Sequence, residues 1–175
     1  RWVREEGYFK LVPKVIKTLC GKTDVSPGDI DHFVMPCLIR GARENVAGKI
    51  GIPADAVRDN LLSGCGETGT AHPLVMLVDA LQDAQPGQKI LVIGFGQGAD
   101  ALLFETTDRI KDLIPRKGIR GTLANGTVEK NYQKFLSFTD KVDIYWGMRA
   151  EAGNKTRLTA VYRDRKMFSA LIGGK

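Results

Sequence analysis

The sequence predicts a layered α/β domain whose mostly parallel sheet ends in an antiparallel strand pair. Residues 1–106 run helix, strand, helix, strand, helix, strand, strand, and such alternation builds a parallel sheet covered by helices. The apolar runs Ile90-Leu-Val-Ile93 and Ala101-Leu-Leu-Phe104 flank a loop with glycine at 94, 96 and 98. Each run is too short for a helix, so the pair reads as a hairpin. From residue 107 the patterning breaks down and the charge changes with it. Residues 1–106 hold 11 Lys and Arg against 13 Asp and Glu, whereas residues 107–175 hold 15 against 7. The chain therefore divides into an α/β domain, 1–106, and a basic irregular extension or linker, 107–175.

The elements follow in order. Phe9, Leu11, Val12, Val15, Ile16 and Leu19 form a helical stripe over 5–20, with a kink or shifted start allowed by Pro13. Residues 24–31 are a turn, and His32-Phe-Val-Met35 is a short strand stopped by Pro36. Leu38, Ala42, Val46 and Ile50 share a helical face, and Gly51 suits the C-terminal cap. Pro53–Asn60 is a small helical turn, and Leu61-Leu62 is a strand remnant. Residues 63–69 form a glycine-rich loop. Thr70–Ala84 is a helix with a continuous apolar face, and the hairpin closes the domain. In the extension, 108–113 and 163–171 read as short helices, 131–138 is amphipathic, and Ile144-Tyr-Trp-Gly-Met148 follows it. This extension drapes over the body or a partner.

Length and composition suit one soluble domain with a real core. No run approaches a membrane span and no signal peptide opens the chain. An arginine at position 1 reads as an excised fragment. Cys20, Cys37 and Cys65 have no metal spacing and leave an odd thiol, so reduced cytoplasmic thiols and no bound metal are expected. The basic tail points to phosphates, to an acidic partner surface or to a solvated linker face. Its basic residues are scattered and form no nucleic-acid module.

Ligands of such sheets gather outside the strand ends, which draws the loops Met35–Cys37, Gly64–Thr70 and Gly94–Gly98 to one edge. Glycine at alternate positions allows close backbone approach. A dinucleotide fingerprint would need a helix directly after Gly98, and the residues there read as a strand.

Three ordered segments carry a resemblance: Gly28-Asp-Ile-Asp-His-Phe-Val-Met-Pro36 with the helix ending Gly48-Lys-Ile-Gly-Ile52, Gly66-Glu-Thr-Gly-Thr-Ala-His-Pro73, and Pro86-Gly-Gln-Lys-Ile-Leu-Val-Ile-Gly-Phe-Gly-Gln-Gly98. Together they resemble the C-terminal half of the thiolase superfamily, near the beta-ketoacyl synthase III and hydroxymethylglutaryl-CoA synthase group, over roughly 3–106. Asn131-Tyr-Gln-Lys-Phe-Leu136 and Tyr162-Arg-Asp-Arg-Lys166 through Ile172-Gly-Gly-Lys175 resemble the linker to a zinc-ribbon and OB-fold acyl-CoA-associated module, which would begin just past Lys175.

The resemblance implies a layered thiolase-like fold in which two similar halves make a subunit and subunits pair as homodimers. It implies transfer of acyl groups from coenzyme A or acyl-carrier protein with carbon–carbon bond formation or cleavage. The thioester is then substrate, and no cofactor is needed. The nucleophilic cysteine belongs to the N-terminal half, upstream of Arg1, so this chain alone is expected to be inactive. The C-terminal half usually supplies a histidine after the strand ending at Met35 and an asparagine in the 64–70 loop. Here Pro36 or Cys37 stands at the first position and Glu67 at the second.

The candidate catalytic residues are Glu67, Cys37 and His72, and the candidate substrate-binding residues are Gly94, Phe95, Gly96 and Gly98. Glu67 suits a general base or a capping carboxylate. Cys37, between a strand and an expected helix, suits a depressed thiol or a buried apolar residue. His72 falls in the first turn of its helix, as a proton carrier or a packed histidine. Cys65 is a pocket thiol or an inert loop residue, and His32 is structural. The competing function is a scaffold that keeps the fold and binds acyl-CoA without catalysis, favoured by the missing histidine.

Overall fold

Three strands form the sheet in the order β1 (His32–Val34), β2 (Lys89–Phe95), β3 (Ala99–Glu105). The description rests on a computed structural model that covers residues 2–112, 116–128 and 130–142. β1 pairs parallel with β2, Phe33 opposite Leu91, and β2 pairs antiparallel with β3, Ile93 opposite Ala101. The predicted α/β layering and terminal antiparallel pair are present, in a mixed sheet with one parallel and one antiparallel pairing. The chain separates into two units, Arg1–Gly126 and Thr127–Lys175.

Side-chain alternation along the strands creates two cores. Phe33, Leu91 and Ile93 face one side, against α1 (Val12–Thr23) and α2 (Ala42–Ile50), where they meet Val12, Ile16, Val46 and Ala47. Val34, Ile90 and Val92 face the other side, against Met76 and Ala80 of α4 (His72–Asp83). All of these side chains are buried. Each large one stabilises the fold by about 1.5–3 kcal/mol, and the continuous apolar run 90–93 is what a strand covered on both faces requires.

The first helical stripe begins as a π-helical segment, Val3–Leu11, and continues as α1. The winding changes just ahead of Pro13, which sits in the first turn of α1 where its missing N–H is no loss. α4 is led by a 3-10 turn, Gly69–Ala71, and Gly51 caps α2 in a left-handed conformation, its N–H donating to Ala47 at 3.0 Å.

Several expectations are corrected. α2 starts at Ala42 rather than Leu38, because Gly41 (φ +72°) turns the chain there. Leu38 is 69% exposed. The strand remnant at 61–62 is absent: Leu61 has φ +57°, and Leu62–Cys65 forms the single-turn α3. Strand-like pairing falls instead at Val57, bridged to Phe33. After the glycine turn, closed by a Gly96 N–H to Gly98 carbonyl bond of 2.9 Å, comes β3 and not a helix. The dinucleotide-binding reading fails on that point.

The first part of the extension packs on the body. A 3-10 turn at Asp108–Asp112 puts Ile110 against the α4 core, and α5 (Gly118–Ala124) brings Arg120 to α4. Arg120 binds Asp79 and Asp83, and Lys111 binds Asp108 at 3.1 Å. Part of the basic charge is thus neutralised within the chain. In the second unit, α6 (Tyr132–Phe138) is capped by the Asn131 side chain, which accepts from the N–H groups of Gln133 and Lys134. Residue 113, the apolar segment 144–148, the expected helix 163–171 and the segment Tyr162–Lys175 lie outside the described residues.

Candidate functional site

At the ends of β1 and β2 the three loops meet around a cleft of about 700 Å3. The candidate catalytic and substrate-binding residues line it, Cys37, Glu67, His72, Gly94, Phe95, Gly96 and Gly98, whereas Cys65, the other reading of a pocket thiol, does not. Parallel pairing explains the convergence. β1 and β2 point the same way, so Pro36-Cys37 and Gly94–Gly98 leave the sheet at the same edge, and the turn entering α4 closes the third side.

A Cβ built at Gly94, Gly96 or Gly98 would meet no atom of the described residues beyond its chain neighbours within 4 Å, and none of the three has a positive φ. The fold itself therefore does not require glycine there. Gly7 is the opposite case. A Cβ at Gly7 would lie 2.3 Å from the tip of the Phe95 ring, so its glycine lets the first helix approach the end of β2.

Of the two readings of Cys37, a depressed thiol or a buried apolar residue, the surroundings suit the second. Cys37 lies in a loop, four residues before Gly41 caps α2, and so gains nothing from a helix N-terminus. It is 6% exposed, and burial pushes its thiol above the ordinary value. The Ile39 N–H donates to Sγ at 3.4 Å and the Asn60 amide donates to the Cys37 carbonyl at 3.3 Å. At neutral pH Cys37 is a protonated, apolar wall rather than a thiolate. Thiol labelling at pH 7 is expected to modify half-buried Cys65 before Cys37. Equal or faster labelling of Cys37 would contradict the burial.

Glu67 follows α3 at the cleft edge, its side chain 43% exposed. Oε1 accepts from the Gly69 N–H at 2.8 Å, and Oε2 has no partner among the described residues. Asp100, opposite Gly94 in the hairpin, is a second carboxylate in the lining.

His72 is buried at the start of α4. Its Nε2 lies 2.8 Å from the Asn60 carbonyl, and Nδ1 lies 3.2 Å from the Thr68 N–H and 2.9 Å from the Thr68 hydroxyl. A carbonyl only accepts, so Nε2 carries the proton and Nδ1 is the acceptor. Both ring nitrogens are engaged by the protein. His72 thus pins the 60–68 loop to α4 and offers a substrate no free nitrogen, which replaces the proton-carrier reading.

Sequence reasoning missed Tyr8. Its hydroxyl donates to the Pro36 carbonyl at 3.4 Å, and its ring lies 4.5 Å from that of Phe95 at 44°. Burial, then the neighbouring Cys37 and Glu67, push the phenol far above its ordinary value, so it is a neutral donor. The contact spans 28 residues, and no local pattern marks it. His32, by contrast, is structural as expected, its Nε2 3.1 Å from the Gln88 side-chain oxygen. Among the described residues no cluster of His, Cys, Asp and Glu could hold a metal, and no helix is long and apolar enough to cross a membrane.

Known proteins match the same segment. Residues 20–104, which contain the three loops, match the family model for the 3-oxoacyl-[acyl-carrier-protein (ACP)] synthase III C terminal. A hydroxymethylglutaryl-CoA synthase of Aeropyrum pernix is 36% identical over 114 residues, covering 63% of this chain and 32% of that protein. Another, of Thermococcus sibiricus, is 33% identical over 140 residues, 79% of this chain and 39% of that protein. A third, of Caldivirga maquilingensis, is 28% identical over 146 residues, 82% and 42%. The chain thus spans about two fifths or less of the length of these relatives.

Proposed function

We infer the function from the family: the chain belongs to the thiolase superfamily, residues 20–104 forming a C-terminal domain of the 3-oxoacyl-[acyl-carrier-protein] synthase III and hydroxymethylglutaryl-CoA synthase kind. Its cleft is one wall of a site where acyl thioesters of coenzyme A or an acyl-carrier protein are joined, or cleaved, at a carbon–carbon bond. The observation that carries this reading is the glycine triad. Three glycines that no internal contact demands line a cleft built from the family-matched loops, and a bound acyl chain is what would need that space.

Each residue takes a role suited to its surroundings. Glu67 takes the α-proton of the acyl thioester, and the enolate attacks an acyl group held on a cysteine of the N-terminal half, expelling that thiolate. Tyr8, a neutral donor, turns its hydroxyl from the Pro36 carbonyl to the substrate carbonyl oxygen as charge develops there. Cys37 and Phe95 wall the acyl chain, and His72 holds the loop. Beyond the thioester, the chemistry needs no cofactor.

Two surfaces support the partners. Lys10, Lys14 and Lys17 of the first helix and Lys49 of α2 line a groove, whose charge suits the phosphates of coenzyme A or an acidic carrier. Leu74, Val78 and Leu81 of α4, with Leu102 and Phe104 of β3, form an exposed apolar set, suited to the N-terminal half and through it to a homodimer. A zinc-ribbon and OB-fold module as a further partner, and a cytoplasmic setting for the free thiols, complete the proposal.

One observation favours a second reading, an acyl-CoA-binding scaffold. Pro36 carries no titratable group where the family resemblance puts histidine, and its neighbour Cys37 is held protonated. The test common to both readings is Gly96→Val. The position is open, so the variant is expected to keep its circular dichroism and thermal transition. It is expected to bind acetyl-CoA at least about tenfold more weakly by isothermal titration. Unchanged affinity would overturn the cleft as the acyl site.

A further inference from the structure

Past residues 20–104, the segment that matches the family model, the chain adds α5, and α5 is built to dock. The Arg120 guanidinium reaches two carboxylates of α4, Nε to Asp79 at 2.8 Å and Nη1 to Asp83 at 2.6 Å. Between them on the same helix, Gln82 Oε1 accepts from the Ile119 and Arg120 N–H groups at 3.0 and 3.3 Å. Those donors belong to the first turn of α5, where the helix itself offers no acceptor. Gly118 permits the approach: its φ is +57°, and a Cβ there would lie 2.5 Å from the Gln82 amide carbon.

The other end of α5 reaches α3. A Cβ built at Gly64 would lie 3.3 Å from Leu123 Cδ1, so the Leu123 side chain rests on that turn. Leu62 of the same turn lines the cleft. Two residues are about 200° apart around a helix, so α3 faces the cleft on one side and Leu123 on the other. The turn leads through Gly66 directly to Glu67. Among the described residues Leu62–Cys65 adds no side chain to either core. Leu61, at its start, holds a left-handed φ of +57° that a bulky side chain disfavours, a conformation kept where neighbours enforce it. His72 holds the preceding Asn60 carbonyl at 2.8 Å, and Leu123 adds a contact to α3 itself.

We propose that α5 positions the base: Arg120 fixes α5 to α4, and Leu123 holds α3, and so Glu67, in place at the cleft, a role that rests on the reading of Glu67 as the group that takes the α-proton. Leu123 is a positioning residue and touches no substrate. A base must sit within hydrogen-bond reach of its proton, and a displacement of about 1 Å slows a positioned reaction severely. Loss of the brace therefore lowers turnover without weakening the binding of substrate.

The test measures hydrogen exchange and acyl condensation in the full-length protein, in Leu123→Ala, Leu123→Met, Arg120→Ala and Glu67→Gln, and in Leu123→Ala combined with Glu67→Gln. Leu123 is 38% exposed, so Leu123→Ala is expected to stay folded. Exchange reads the brace whatever the chemistry. The amides of Gly64, Cys65 and Gly66, bonded to the Leu61 and Leu62 carbonyls, are expected to exchange about tenfold faster in Leu123→Ala and Arg120→Ala, with Leu123→Met and strand β2 unchanged. Turnover reads the base. In Leu123→Ala kcat is expected to fall about tenfold with KM within about twofold, and Leu123→Met to keep full kcat. Once Glu67→Gln is present, adding Leu123→Ala is expected to cost nothing further, because both changes act on one group. A merely structural role would give the same loss in both backgrounds. Unchanged exchange at 64–66 or unchanged kcat in Leu123→Ala, or a loss that adds to that of Glu67→Gln, would overturn the positioning role and leave the acyl-thioester site standing. Full turnover in Glu67→Gln, or no condensation by the unaltered protein, would overturn the reading of Glu67 and the role of α5 with it.

Discussion

Asp79→Ala is expected to cost about 3 kcal/mol of stability, at the lower end of what breaking a buried ion pair costs. Asp79 is the charged residue on the buried side of α4, its side chain 6% exposed. It receives Arg58 at 3.1 Å and the Arg120 Nε at 2.8 Å, while Asp83, one turn on, accepts from both guanidinium groups as well. The two carboxylates hold two segments, the loop after Val57 and α5, against the same helix. Among the described residues, removing Asp79 leaves the 18%-exposed Arg58 guanidinium with Asp83 as its acceptor, and the Arg58 Nε already has none. Asp83 limits the damage, which is why the estimate is not larger. Urea unfolding would read the loss, and a change under ~1 kcal/mol would show that the cluster is ornamental.

The same cluster sets an acid limit. Hydrogen bonds from Arg120 and then Arg58 hold the Asp83 carboxyl well below the ordinary carboxylate range. A carboxyl depressed in the folded state contributes stability that is complete above its unfolded value, near 4, and is lost as pH falls below that toward the folded value. Docking of α5 is therefore expected to be constant from neutral pH to about pH 5 and to weaken below about pH 4. Exposure of 39% keeps the contribution modest.

What the sequence revealed, and what it hid, follows from the range of the interactions. The run Ile90–Ile93 and the stripe of α4 were legible because burial on both sheet faces writes itself into consecutive residues. Leu38 misled because it is apolar in helical register with Ala42, yet it and Ile39 line the cleft, and Gly41 delays the helix. Leu61-Leu62 misled because two apolar residues carry no period. The convergence of Cys37, Glu67 and Phe95 was legible through topology alone, since parallel strands put their following loops at one edge. Tyr8 and the pairs Arg58–Asp79 and Arg120–Asp79 were not: their partners lie 28, 21 and 41 residues away. A lone aspartate on the Met76–Ala80 side of α4 was the one available hint, and it names no partner. Cys37 stayed open between a depressed thiol and a buried apolar residue for a related reason, because the position of a helix start by one turn decides whether a thiol meets its field.

Glu67→Gln carries the largest expected effect on chemistry. If Glu67 removes the α-proton, the amide leaves the cleft nearly the same size and keeps an oxygen for the Gly69 N–H, but it has no basicity. The turnover number of the full-length protein for acyl condensation is then expected to fall by 10²- to 10⁴-fold, the usual contribution of a positioned general base. Affinity for an uncharged acyl-CoA should change little, because the lost group binds the transition state and not the ground state. Tyr8→Phe separates this from a general disturbance of the cleft. It keeps the ring against Phe95 and removes one neutral donor, so a smaller loss in turnover is expected than for Glu67→Gln. A Glu67→Gln protein with full turnover would remove Glu67 from the chemistry. An unaltered protein that binds acetyl-CoA, exchanges no α-proton with deuterated water and forms no carbon–carbon bond would favour the scaffold, because proton exchange needs only the base and the thioester and no second substrate.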